Sequence, residues 1–394
     1  MEKMRRVNVG IIGAGTMCRA HSLGYDIMPK HFYPCAAIPV KKVLCDINLA
    51  AAEEGADRYG WEEACDDWHK VVTRPDIEIV DIVVPNNLHN EMCKEAARNG
   101  KMIYCEKPLG LDFEDCLDIY RTIRDLGVKN AVAFNRRRWP ALMFAKKLIS
   151  EDRIGDIINC RFELQQSFAL NRSLPMGWKF QKDKTGGGAI VDIGSHVIDL
   201  ARYLVGDIDE VCGLLVTAIK ERPVPKAGAN LFWASGDDNS EMAKVEVDDL
   251  TSFMVKFHNG AVGTIEASRV ASGEGDGTSL VIWGTKGAIR WKQSRVSELE
   301  LCLEDDPATE KGFKTIEICG RHDSGIWNVQ FGIGFAENKA IEIRDVIDTY
   351  VNGTPFRADF YDGTKVAQII KCVEESFATK RWVTVEEIDG MKHQ

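Results

Sequence analysis

Residues 7–12 form a near-continuous apolar run, the pattern of a strand buried on both faces. Over residues 16–28 the apolar positions recur with a helical period. Both patterns return, predicting strands at 42–46, 77–84, 101–105 and 130–134 and helices at 49–59, 87–98 and 113–126. The last of these helices sets Leu117, Tyr120 and Ile123 on one face and stops at Gly127, a carboxyl cap. Repeated βαβ units with short connections predict a parallel sheet with helices on both sides. Residues 31–39 make a longer connection than most and read as an insertion near a site.

After Phe134 the pattern changes. A helix at 141–150 and a strand at 157–168 lead to a polar, glycine-rich loop at 171–188, then to a helix at 189–205. Antiparallel strands are expected at 209–221, 250–257, 263–268, 279–283 and 288–292. Helices at 336–351 and 361–377 close the chain, the second with Val366, Ile369, Ile370, Val373 and Phe377 as one apolar stripe. Residues 222–247 mix Pro, Gly, Ala and charge without a period and are expected to be a mobile excursion. The expected class is α/β, with one domain at 1–134 and a second at 135–394.

A length of 394 residues supports that division, because it exceeds what one ordinary core organises. The net charge of −10 argues against a nucleic-acid partner and against an anionic membrane surface, both of which call for basic footprints. Apolar stretches such as residues 77–85, interrupted by Glu78 and Asp81, are too short to span a bilayer, and the first residues lack a signal-peptide pattern. A cytoplasmic location is expected. The twelve cysteines are scattered with no Cys-x-x-Cys pair, so reduced thiols and no metal site are expected. Cys18, in the first glycine loop, is the thiol expected to react.

Gly13-x-Gly15 follows a strand and opens a helix. The first glycine permits a tight turn, and the second lets a diphosphate approach the backbone. The helix start, Thr16 and Met17, offers free N–H groups to phosphate oxygens. Cys18 stands at the third glycine position; it is small enough for helix to pack on strand. Asp46 ends the second strand, where a carboxylate either accepts hydrogen bonds from an adenosine ribose or caps a helix. The neighbouring glycine loop favours ribose, and with it NAD over NADP.

Two further stretches carry chemistry. Cys105-Glu106-Lys107-Pro108 follows a strand, which puts the Lys107 ammonium at the carboxyl end of the sheet, where such folds bind ligands. A surface loop is the competing reading. Gly186-Gly187-Gly188 precedes Asp192 and His196, which share a face if residues 189–205 are helical. There a carboxylate orients an imidazole that takes a hydroxyl proton as hydride leaves carbon. The glycines are expected to let a ligand approach the backbone. Asp199, three residues on, reads as solvated or helix-pairing.

Together these residues resemble the glucose–fructose oxidoreductase/inositol dehydrogenase (Gfo/Idh/MocA) family. The likeness extends to Pro85-Asn86-Asn87-Leu88-His89, Asn135-Arg136-x-x-x-Pro140 and Gly284-Thr285-Lys286-Gly287. It implies an amino-terminal Rossmann domain with a parallel sheet and a carboxyl-terminal α/β domain with a large, mostly antiparallel sheet. It further implies homo-oligomers, dimer or tetramer, through that sheet. By position, Lys107, Asp192 and His196 look like the catalytic group, and Asn86, His89, Glu106 and Asn135 like cofactor-pocket residues. Arg136 and Trp178 match substrate contacts, although a run such as Arg136-Arg137-Arg138 would ordinarily be a solvated face. The residues between 165 and 184, with Phe168, Trp178, Phe180, Gln165 and Asn171, suit a polyhydroxylated ring. The expected function is NAD-dependent oxidation of a secondary hydroxyl of a sugar, glycoside or cyclitol. The alternative is a glycoside hydrolase that uses transient oxidation.

Overall fold

The computed structural model describes residues 4–225, 241–319 and 332–388. The chain forms two compact units, one from residues 1–110, 114–140 and 318–364, the other from 111–113, 141–317 and 365–394. Residues 318–364, which lie past the expected division at 134/135, group with the first unit.

The first unit holds six strands: β1 (Arg6–Ile12), β2 (Ile38–Cys45), β3 (Glu63–Cys65), β4 (Ile79–Ile82), β5 (Met102–Cys105) and β6 (Asn130–Val132). They pair in the order β3-β2-β1-β4-β5-β6, all parallel. The helices are α1 (Thr16–His31), α2 (Leu49–Tyr59), α3 (Trp68–Thr73), α4 (His89–Arg98) and α5 (Phe113–Leu126). Strand order reverses between β1 and β4, the switch point where such sheets bind ligands. Because α1 runs to His31 and β2 starts at Ile38, the expected insertion shrinks to residues 32–37. The short β3 and α3 were not legible as periodic runs.

The second unit begins with α6 (Pro140–Ser150) and β7 (Ile157–Gln166). Then come α7 (Lys182–Thr185), a wide π-type turn over Ile190–Gly194 and α8 (Ser195–Leu204). The strands are β8 (Ile208–Val216), β9 (Glu221–Pro223), β10 (Met242–Lys244), β11 (Leu250–Phe257), β12 (Val262–Ser268), β13 (Asp276–Gly284), β14 (Gly287–Lys292), β15 (Glu298–Leu303) and β16 (Lys314–Glu317). The chain then gives α9 (Phe335–Asn352) to the first unit. It continues through α10 (Phe360–Thr379), which begins in the first unit and ends in the second, to β17 (Val383–Thr384).

Nine of these strands form one sheet, β16-β15-β14-β13-β7-β12-β11-β8-β17. Only β7–β12 is parallel. In β11, Thr251, Phe253, Val255 and Phe257 alternate inward with period two. The opposite face leaves Leu214, Val216, Met254 and Val262 exposed. In α10, Val366, Ile369, Ile370 and Val373 are buried as the stripe predicts, but Phe377 is exposed. Of the expected mobile excursion, 226–240 lie outside the described residues. Its two ends pair as β9 and β10, and Val245 and Val247 join an apolar cluster with Leu174, Met176 and Phe180. Among the described residues no helix is long and apolar enough to cross a membrane.

Candidate active site

At the switch point, β1 ends in the turn Gly13-Ala14-Gly15. Gly13 has φ +112°, and a Cβ there would lie 2.9 Å from the Val83 carbonyl oxygen, so only glycine fits. A Cβ on Gly15 would meet nothing within 4 Å, which leaves a cradle at the amino end of α1 with room for a diphosphate. Thr16 and Met17 form that end. Both Asp46 oxygens accept backbone N–H groups, from Ala14 at 2.8 Å and Asn48 at 2.9 Å. The cap of α2 is Asn48, so Asp46 is tied to the glycine loop and the capping alternative falls. This donor set fits a dinucleotide. Cys18 does not match the expected reactive thiol: it is fully buried beside Ser22, and burial pushes it up to about 12.

The loop after β5 carries Glu106 and Lys107. Within residues 101–110, Lys107 alone retains partial exposure. Asn86 begins a short turn after β4, and Asn135 and Arg136 lie in another after β6. All three are nearly buried. Arg137 pairs with Asp362 at 3.1 Å and Arg138 with Asp345 at 2.8 Å, both buried, so this basic run is not a solvated face. His89 also corrects its expectation. Its ring has no exposed surface and bridges Val84 O at 2.9 Å and Pro108 O at 3.0 Å. Burial lowers its pKa. The ring therefore clamps the Lys107–Pro108 loop rather than lining a pocket.

Glu106 has turned inward too. Its Oε1 accepts from His21 Nε2 at 2.9 Å and Lys339 Nζ at 3.1 Å, while Oε2 accepts the Lys107 N–H at 3.1 Å. Burial acts to raise its pKa, but the Lys339 ammonium and then His21 override this and hold the carboxyl well below its usual range. His21 and Lys339 were absent from the sequence reading. They are separated from Glu106 by 85 and 233 residues, and no local pattern links them.

In the second unit, Asp192 and His196 are both nearly buried. The π-type turn contains Asp192 and ends one residue before α8 starts, so the pair does not sit on one regular α-helix as expected. Asp192 accepts Lys179 Nζ at 3.0 and 3.1 Å. The Lys179 ammonium also lies 5.8 Å from the Trp178 ring centre and 5.9 Å from that of Phe168. Lys179 is the residue the sequence reading passed over; its place beside Trp178 was the available hint. Asp199 is buried, not solvated. Phe180 is buried between the guanidiniums of Arg222 and Arg269, at 4.0 and 5.1 Å, which removes it from the substrate list. Gln165 bonds Glu266 across the sheet, and Asn171 bonds Ser173.

The triple glycine serves the fold. A Cβ on Gly188 would lie 1.8 Å from Asp248 O, and one on Gly186 (φ +81°) 1.8 Å from Leu111 O. The close approach is therefore by protein backbone, not by ligand. The Asp248 carboxylate accepts the Gly188 and Ile190 N–H groups at 2.8 and 2.9 Å and so caps the turn that bears Asp192.

Residues 7–134 match the family model for an oxidoreductase family with an NAD-binding Rossmann fold, and residues 142–290 match the GFO/IDH/MocA C-terminal domain. Levoglucosan dehydrogenase of Pseudarthrobacter phenanthrenivorans is 40% identical over 98% of this chain and 100% of its own length. A solved structure of levoglucosan dehydrogenase with NADH and levoglucosan superposes with TM-score 0.91 at 40% identity, covering 97% of this chain and 100% of that one. The scyllo-inositol 2-dehydrogenase (NAD(+)) of Bacillus subtilis is 32% identical over 64% of this chain and 67% of its own.

Proposed function

Because the chain belongs to the Gfo/Idh/MocA oxidoreductase family, we propose that it oxidises a secondary ring hydroxyl of a compact anhydro sugar of the levoglucosan type to a ketone. It is an NAD-dependent sugar dehydrogenase. NAD, when bound, accepts the hydride that leaves the carbinol carbon. The substrate reading rests on one observation, the 40% identity to levoglucosan dehydrogenase over the whole chain, against 26–32% to the inositol enzymes.

In this reading Gly13, Gly15, Thr16 and Met17 hold the diphosphate, Asp46 accepts from a ribose, and Asn86 and Asn135 border the cofactor. His196 takes the hydroxyl proton, a contribution of about 10²–10⁴-fold. Asp192 steadies the imidazole, and Lys107 holds the substrate oxygen as negative charge develops on it. Trp178 and Arg136 contact the sugar. With the proton on His196 and the hydride gone from carbon, the carbonyl forms and the balance closes.

The test is NADH absorbance with levoglucosan, methyl glucosides and inositols, each with NAD and NADP. Levoglucosan with NAD should give the highest kcat/KM; a higher value for an inositol would overturn the substrate. A hydrolase would instead turn over without net NADH. The proposal extends to a homo-oligomer through the exposed Leu214, Val216, Met254 and Val262 face, read by sedimentation of the native protein and Met254→Lys. It extends also to a cytoplasmic location, in keeping with the free cysteines.

A further inference from the structure

Beneath the Lys107 loop lies a buried charge cluster that the reaction as described does not use. His21 has no exposed surface and places Nδ1 2.8 Å from Asp81 Oδ2 and Nε2 2.9 Å from Glu106 Oε1. Both nitrogens face carboxylate oxygens, so both carry hydrogen and the ring is an imidazolium. Tyr25 adds a second donor to Asp81 at 2.9 Å. Lys339, also without exposed surface, directs its ammonium at Glu106 Oε1 at 3.1 Å, Glu342 Oε2 at 2.8 Å and the Tyr104 hydroxyl at 3.2 Å. These three partners satisfy its three donors. Lys339 comes from α9, which packs so closely on α1 that a Cβ on Gly24 would sit 3.0 Å from Lys339 Cβ.

Well-packed hydrophobic residues hold a fold together as well as buried ion pairs do, so stability alone does not account for this cluster. Its geometry suggests what else it does. Glu106 is gripped through one oxygen by two cations, and its other oxygen accepts the Lys107 N–H. Three carboxylates (Asp81, Glu106, Glu342) face two cations (His21, Lys339). One negative charge is left over, and the Lys107 ammonium is the next cation that acts on Glu106.

We propose that Lys339 is a positioning residue for Lys107: by fixing Glu106 from below, it sets both the backbone and the ammonium of Lys107. This rests on the reading of Lys107 as the group that holds the substrate oxygen. It assigns a role to a helix more than 200 residues along the chain from Lys107.

The test uses the full-length enzyme with NAD and levoglucosan. The pair Lys339→Met with Glu342→Gln removes one cation and one anion, so the cluster keeps its net charge while Glu106 loses its ammonium partner. The expected result is a kcat about thirtyfold lower, with sugar KM and NADH affinity within about threefold of native and the melting temperature nearly unchanged. Loss of a merely structural tie would instead lower the melting temperature and leave the kcat of the folded fraction near native, and that result overturns the proposal. If the pair does not fold, Lys339→Gln, which keeps a hydrogen-bond donor without the charge, is read by the same criteria. Lys107→Ala runs alongside. Full turnover in Lys107→Ala defeats the reading of Lys107 itself; an inactive Lys107→Ala beside a native-like kcat in the Lys339 variant defeats only the positioning role.

Discussion

The loop after β1 and the loop before α8 both carry close-set glycines, and what surrounds them differs. At Gly15 the space where a side chain would project is open. At Gly186 and Gly188 it is already filled by the backbone of Leu111 and Asp248. The first loop keeps a ligand-sized gap at a helix amino terminus. The second closes a gap between two protein segments, and the Asp248 carboxylate then caps the turn that carries Asp192. A missing Cβ creates room in either case. Whether that room is taken by ligand or by chain depends on what the fold brings opposite.

The largest expected effect tests the filled loop. Gly188→Ala drives a methyl into the Asp248 backbone, which cannot swing away like a side chain, and should cost more than about 3 kcal/mol in urea denaturation. A native unfolding midpoint would show the contact to be dispensable. At the open loop, Gly15→Val should leave the melting temperature near native and weaken NADH binding by about tenfold to a hundredfold, or about 1.4–2.7 kcal/mol. Unchanged affinity by fluorescence titration would break the contrast between the two loops.

The site beyond the filled loop is probed by Lys179→Met. Asp192 then loses the Lys179 ammonium while the Arg269 guanidinium stays 4.0 Å away, and its less compensated carboxylate favours a protonated neighbour. The acid limb of the kcat/KM profile should move to higher pH by about 1 unit. A superimposable profile would mean that Lys179 only packs against Trp178 and Phe168.

The smallest effect concerns the third position of the first loop. In the folded protein at pH 8, Cys18 should resist iodoacetamide, since burial holds it as a thiol. Cys65, partly exposed and lowered by a hydrogen bond from Cys45, should be alkylated. Peptide mass mapping reads both, and labelled Cys18 would show that α1 does not pack closely there.

Much of the first unit was legible because its signals are local. The helices at Leu49–Tyr59 and Phe113–Leu126 start and stop where the pattern puts them, and β1 is a plain apolar run. Strands β15 and β16 went unread. In β15 the alternation Glu-Leu-Glu-Leu-Cys-Leu is a period-two signal that was passed over, whereas β16, Lys-Thr-Ile-Glu, has one apolar residue and is a strand through its pairing with β15. The burial of arginines 136–138 was illegible for a related reason. A run of charge ordinarily faces water, but Asp345 and Asp362 arrive from more than 200 residues away to pay for its burial.

By itself the sequence determined which segments are helix and strand over most of the chain and where the dinucleotide turn lies, because periodicity and turn geometry are written over a few residues at a time. Tertiary structure alone decided which glycines face open space, which acids and bases end in the interior, and that Lys339 in α9 meets Glu106 after β5. Those outcomes depend on what a neighbour distant in the chain brings within three or four ångströms, and burial and Coulomb energy act on that distance rather than on separation along the sequence.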